Sequence, residues 1–266
     1  MAKTNVSEAD LADMTPKEFR SVVRRGEWTG SSFPACRGYA QANVTILPKN
    51  YAYEFLLFCN RNPLPCPLID VTEAGDPHPA FSPEADLRTD LSKYKVFKNG
   101  ELIAEPSDVR EYWRDDLVGF LMGCSSSFLW LFREANIRFR LLGAFITNIQ
   151  CVPAGRFRGP LVATCYMFKN GREAVRAIQI TSRLPAVHGA PVHIGDPAII
   201  GIKDLCKADF GPKNVAPPEP DEIALYWACG GTPEPIIREI KPPLAIFQGD
   251  LELLVTDSLL ADLATL

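Results

Sequence analysis

The chain has 266 residues, 47% of them hydrophobic, and a formal net charge of −4. That length allows one large domain or two small ones, with apolar residues enough for a buried core. The mild acidity gives no electrostatic case for nucleic acid or an anionic membrane surface. No apolar run reaches membrane-spanning length, and the N-terminal residues lack a signal-peptide core. The eight cysteines are scattered, without a Cys-x-x-Cys pair or a zinc-type Cys/His spacing, so they read as reduced thiols in a cytoplasmic chain.

In chain order, residues 1–14 read as a loose tail. Thr15-Pro16 with Glu18 reads as an N-cap, a first-turn proline and a first-turn carboxylate, and Gly26 ends that helix. Asn43 to Leu47 is a β-branched strand, Tyr51 to Cys59 a compact apolar helix and Cys66 to Val71 a second strand. Residues 73–93 form a Pro-rich loop long enough to cover a site. Asn99-Gly100 between Tyr94–Phe97 and Leu102–Ala104 predicts a hairpin. Ser107 and Asp108 cap an expected helix to about Asp115. Leu117 to Met122 reads as a strand, followed by a helix over Phe128 to Ala135. Ile137–Cys151 and Leu161–Phe168 read as strands, Arg172–Arg183 as a helix and 211–220 as a Pro-rich linker. Ile223–Ala228 is a strand, Thr232-Pro233 a capped helix start, Pro243–Phe247 and Leu251–Thr256 the last strands, and the end a short helix. Alternating short strands and helices predict an α/β fold with a mostly parallel sheet. The expected division is an α/β domain of residues 1–125 plus 196–266, with a smaller α+β domain, 126–195, inserted in it.

Three stretches carry chemistry. The first, His188-Gly-Ala-Pro-Val-His193-Ile-Gly-Asp196-Pro197, holds two of the three histidines. Its glycines and prolines exclude a helix or a central strand. A rigid loop bearing imidazoles suits proton transfer. A structural turn in which each ring satisfies a backbone carbonyl stands equally open. The second stretch, Gly123-Cys124-Ser125-Ser126-Ser127, follows an apolar run and opens a helix, whose N-terminus favours an anion. A buried apolar cysteine with capping serines is the alternative. The third, Cys229-Gly-Gly-Thr232-Pro233, repeats that layout. Arg156, in the basic turn between two strands, can hold a carboxylate or be merely solvated.

Together these motifs resemble the hydro-lyase family related to D-glutamate cyclase (the YcsI-like group). Matching stretches include Gly26-Glu-Trp-Thr-Gly30, Gln41-Ala-Asn43, Leu64-Pro-Cys-Pro-Leu68 and Asp86-Leu-Arg-Thr-Asp90, from about Pro16 to the C-terminus. The resemblance implies a two-domain α/β fold and loss of water from an amino-acid-like substrate, as in closure of D-glutamate to 5-oxo-D-proline. For such chemistry His188 and His193, beside Asp196, are the expected acid and base, with Cys124 as a further catalytic candidate. Ser125, Ser127, Asn148, Arg156, Gln41, Asn43, Cys229 and Thr232 are the expected substrate contacts. No cofactor and no metal are expected, although His188, His193 and Asp196 offer a loosely spaced ligand set. The expected partner is a small amino-acid-derived molecule, and self-association into a homo-oligomer stays open.

The chain departs from the family pattern at several places. Leu129 stands where a glutamate is usual, and Ile146 where an arginine precedes Thr147-Asn148. Residues are missing around Arg140 to Ala144. Thr164-Cys165-Tyr166-Met167 replaces a Ser-Met-Arg-Pro run, and Gln248-Gly249-Asp250-Leu251 replaces a His-rich one. These changes remove charged groups while scaffold motifs persist. They point to a cyclase or dehydratase with a less anionic substrate, or to a non-catalytic binding or regulatory protein that keeps the pocket.

Overall fold

The computed structural model describes residues 7–212 and 215–265. Residues 1–6 of the expected tail, 213 and 214 in the expected linker, and 266 lie outside the described residues. The rest of the tail is ordered: Ser7 and Asp10 form a capping box on a one-turn helix, α1 (Glu8–Ala12). Thr15 and Glu18 do the same for α2 (Pro16–Arg24), where Pro16 occupies the first turn as expected. The apolar face of α2, with Phe19 and Val23, packs on Leu11, Ala35 and Val255.

A seven-stranded sheet is built around β1 (Tyr39–Pro48), followed by α3 (Lys49–Arg61) and β2 (Leu68–Val71). Then come the hairpin β3 (Tyr94–Lys98) and β4 (Glu101–Ala104), turned at Asn99-Gly100 where both residues take positive φ, and β5 (Leu117–Gly123). The helix expected after Ser107 is only a 3-10 turn, Arg110–Tyr112. After β5 the chain forms α4 (Ser126–Glu134) and a second, four-stranded sheet. This sheet holds β6 (Phe139–Gln150), β7 (Pro160–Phe168), β8 (His193–Ile194) and β9 (Ile223–Ala228), with α5 (Gly171–Thr181) between β7 and β8. After α6 (Pro233–Ile240), β10 (Ala245–Gln248) and β11 (Leu254–Leu259) return to the first sheet. The second sheet therefore takes Ile223–Ala228 from beyond the 195 limit read in the sequence.

The fold is mixed α/β, as expected, but the mostly parallel sheet is not found: every strand pairing among the described residues is antiparallel. The reason lies in the strand order. The helical connection α3 brings β2 back in the direction of β1, as a β-α-β unit would. It leaves one strand position between them, and β5 fills it antiparallel to both. In the same way β10 fills the gap between β1 and β3. Local alternation of strand and helix is the same whether or not a later strand enters the gap.

The two sheets share one core. Phe55 and Phe58 of α3 and Ile236 and Ile237 of α6 pack with Phe120 and Met122 of the first sheet and Ala163, Cys165 and Met167 of the second. The other face of the second sheet is covered by α4 and α5, with Phe128, Phe132 and Ala177 around Trp227. The outer face of the first sheet is covered by the long 73–93 loop, which sinks Ala85, Leu87 and Leu91 onto Val44, Ile46 and Leu121. That loop packs on the sheet with its apolar residues, and with His78, Glu84, Asp86 and Arg88 it also lines a separate surface cavity of about 640 Å³ beside the end of α2. Burying the apolar side chains is worth roughly 1.5–3 kcal/mol each for the large ones, enough to order a Pro-rich segment without secondary structure.

Candidate functional site

Strand β1 is buried along its length, so both of its faces are decided by alternation. Ala42, Val44 and Ile46 face the outer core. Gln41, Asn43 and Thr45 fall on the opposite face and are also buried. One edge of β1 is split between two strands. Residues 39–42 pair with β11 and residues 45–46 with β10. At the split the side chain of Gln248 completes the ladder. Its Oε1 accepts from Val44 N at 2.8 Å, and its Nε2 donates to Asn43 Oδ1 at 3.0 Å. Beside this split lies a cavity of about 580 Å³ lined by residues of both sheets and of α4. The neighbouring turn fits only because Gly230 has no side chain: a Cβ there would stand 2.1 Å from Asn43 Nδ2.

The cavity gathers Asn43, Cys124, Ser125, Thr164, Tyr166 and Cys229, with Leu129, Phe139, Leu141 and Phe210 among its apolar walls. The three successive serines at the start of α4 have separate tasks. Ser127 Oγ accepts from Gln41 N at 2.9 Å and ties α4 to β1. Ser126 Oγ donates to Gln41 Oε1 at 3.1 Å. Ser125 Oγ lies 3.1 Å from the Tyr166 hydroxyl. Burial pushes the Tyr166 phenol above its usual range, partly opposed by that hydrogen bond, so it is a neutral donor near pH 7. Burial also raises the Cys229 thiol. A hydrogen bond with Thr164 and one from Gly231 N, 3.4 Å from its sulfur, pull the other way. Cys229 is therefore a thiol rather than a preformed thiolate.

Of the residues expected from sequence, Asn43, Cys124, Ser125 and Cys229 come together in the cavity. Gln41 and Ser127 lie just behind it as supports. The histidines do not join them. The left-handed backbone of His188, φ 83°, turns its ring onto the Leu64 carbonyl, 2.7 Å from Nδ1. The ring is 1% exposed and burial lowers its pKa to about 4. His193 holds the Asp196 backbone carbonyl at 2.8 Å and lies tilted against the Tyr226 ring, 5.4 Å between centroids. The Asp196 carboxylate accepts from Ala198 N and caps a 3-10 turn. Neither ring nor the carboxylate lines the cavity, so these three do not converge on a substrate or as metal ligands. Arg156 is also elsewhere, ion-paired to Glu54 at 2.9 Å and stacked over Tyr51. Asn148 donates to the Ile199 carbonyl on the far side of β6. Thr232 sits at the start of α6, but its hydroxyl donates to Cys229 O at 2.7 Å and accepts from Val162 N at 3.0 Å instead of capping the helix.

Sequence reasoning did not name Thr164 and Tyr166 as site residues, yet the signal was there. In Ala163-Thr-Cys-Tyr-Met167, residues 163, 165 and 167 enter the shared core and 164 and 166 face the cavity. Leu129 and Gln248, at two of the departures noted in the sequence, also line it, whereas Ile146 is exposed outside it.

The comparisons with known proteins agree with this frame. The D-glutamate cyclase family model matches residues 118–257. A protein of Bacillus licheniformis that carries a hydro-lyase name is 46% identical over 252 residues, covering 92% of this chain and 95% of its own. YcsI of Bacillus subtilis, with the same kind of name, is 45% identical, covering 92% and 96%. A Psychrobacter arcticus relative is 43% identical over 97% of this chain and 99% of its own. The matched span runs from β5 through β11 and takes in every cavity residue discussed above except Asn43. The chain belongs to the D-glutamate cyclase family.

Proposed function

We propose that this protein is a cyclase or dehydratase that removes water from a small amino-acid-derived substrate bound in the cavity lined by both sheets and α4. The observation that carries the reading is the convergence there of Asn43 from β1, Cys124 and Ser125 before α4, Thr164 and Tyr166 from β7, and Cys229 after β9. Tyr166 is the acid and, after proton transfer, the base. Its neutral phenol gives a proton to the departing hydroxyl as the carbon–oxygen bond breaks. The resulting phenolate takes the proton released from the attacking nitrogen or the adjacent carbon, with Ser125 as hydrogen-bond partner. Asn43 orients the substrate with a carboxamide fixed by Gln248. Cys229, held as a thiol, contributes shape and a weak hydrogen bond rather than a covalent bond. Among the described residues no helix is long and apolar enough to cross a membrane. We propose a cytoplasmic setting, in keeping with the unpaired thiols.

A second reading, a binding protein that keeps the pocket without turnover, is favoured by one observation: both loop histidines are committed to backbone carbonyls. NMR of the purified protein with D-glutamate, L-glutamate and their N-acylated or amidated analogues separates the two. Appearance of a lactam or alkene, lost in Tyr166→Phe, supports the lyase. Saturable binding without product across the panel supports the binding protein.

A further inference from the structure

Charge around the cavity is unevenly spent. Its cationic lining residues are Lys95, Arg133 and Arg138, and its anionic ones Glu234 and Asp250. Lys95 is committed to Asp250 at 2.6 Å and Glu234 at 3.3 Å, and Arg138 reaches Glu173 at 3.4 Å. Arg133 differs. Among the described residues no carboxylate lies within ion-pair distance of its exposed guanidinium. It lies instead over Phe33 at 4.4 Å and Trp130 at 5.1 Å, two rings that stack on each other 5.9 Å apart. An aromatic surface beneath a guanidinium holds its plane and leaves its N–H edge to a ligand. Beside the exposed Arg133 the cavity is lined by the apolar side chains of Leu129, Ile137, Phe139, Leu141 and Phe210. A second carboxylate there would meet no cation that is not already ion-paired, and burying a charge without a free partner costs several kcal/mol. The volume, about 580 Å³, lies within the range that takes ligands of drug size, well above the needs of a bare five-carbon amino acid.

We propose that the cavity takes an amino-acid derivative with a single carboxylate, held at the mouth by Arg133, and an apolar N-acyl or side-chain group in the interior. The reacting hydroxyl or carbonyl is then uncharged. This rests on the assignment of the cavity as the substrate site and narrows the substrate class. Arg133 is a specificity-determining residue, since it touches the carboxylate and not the reacting atoms.

Isothermal titration with N-phenylacetyl-DL-alanine, its methyl ester and DL-glutamate tests this on the full chain, with tryptophan fluorescence as a second signal. The acylated alanine is expected to bind at least tenfold more tightly than either the ester or glutamate. Arg133→Gln is expected to bring it down to the ester's affinity and leave the ester unchanged, and Arg133→Lys to fall between. Tightest binding by glutamate, an equal loss for acid and ester in Arg133→Gln, or no binding of any probe would overturn the proposal. The expected binding pattern without water loss from any derivative would sink the lyase reading and leave this one standing.

Discussion

Two regions of this molecule are rich in reactive side chains, and they use them in opposite ways. The His188–Pro197 loop spends its polar side chains on backbone groups, its own and that of Leu64. His188 holds Leu64 O, His193 holds Asp196 O, Asp196 holds Ala198 N, and Trp227 Nε1 donates to Gly189 O at 3.0 Å. Strand β9 zips it down through Val192 N and Gly195 N. The turns at Cys124 and Cys229 spend their backbones instead: Cys124 N donates to Gln41 O and Cys229 N to Val162 O. Their side chains line the cavity, and of the two only Cys229 also takes a backbone N–H among the described residues, the long one from Gly231. A reactive residue is available for chemistry where the backbone around it is satisfied by other residues. It is a structural strut where it must satisfy that backbone itself.

The two regions meet at Gly123, and the largest effect is expected there. A Cβ at Gly123 would stand 1.9 Å from the Ala186 carbonyl oxygen and 2.9 Å from Val187 Cγ1. Neither β5 nor the turn before His188 has room to give. Gly123→Ala is expected to cost about 3 kcal/mol, read as a lower urea midpoint at unchanged slope. A loss under about 0.5 kcal/mol would mean that the loop sits on β5 loosely, and the contrast between strut and site would weaken.

His188 comes next. Burial holds its ring neutral down to about pH 4, whereas in the unfolded chain it protonates near 6.5. Its contribution is therefore complete above pH 6.5 and is lost as pH falls from 6.5 to 4, by up to about 3 kcal/mol. His188→Asn keeps a side-chain donor and tolerates the left-handed backbone, so the variant folds and loses this acid sensitivity. Denaturation at pH 7.5 and 4.5 checks it. An unchanged pH slope in the variant would show that the acid sensitivity comes from other groups.

In the cavity, Tyr166→Phe is expected to lower turnover of the substrate found by the NMR screen by about 10²-fold, while stability changes by about 1 kcal/mol. Turnover within twofold of the original would remove Tyr166 from the chemistry and pass the role to the cysteines.

The contrast also explains what the sequence made legible. The helix at Thr15-Pro16, the Asn99-Gly100 hairpin and most strands were readable because caps, turns and alternation are local. The antiparallel order was not, because β5 and β10 enter gaps left far earlier in the chain. Within the site, Cys124, Ser125, Asn43 and Cys229 were found through family motifs and turn layout. His188 and His193 were misplaced because composition records an imidazole and not the carbonyl it binds. Tyr166 faces the cavity across a sheet pairing of β6, β7 and β9 that no local window contains.

The smallest effect is expected at His193, and it bears most directly on the comparison. Its Nε2–H spans only three residues to Asp196 O, on a half-buried ring beside Tyr226. The two-residue strand β8 that carries it is also held by β9 and by the Tyr226 hydroxyl donating to Gly195 O at 3.3 Å. Removing one of several ties on a half-exposed ring costs about 0.5–1.5 kcal/mol. His193→Ala should therefore leave turnover and binding within twofold in the same assays in which Tyr166→Phe fails. A 10²-fold loss with stability intact would require the loop to release Asp196 O and bring the imidazole to the substrate. The His188–Pro197 segment would then be a part of the site that ligand binding assembles, and not the strut its hydrogen bonds describe.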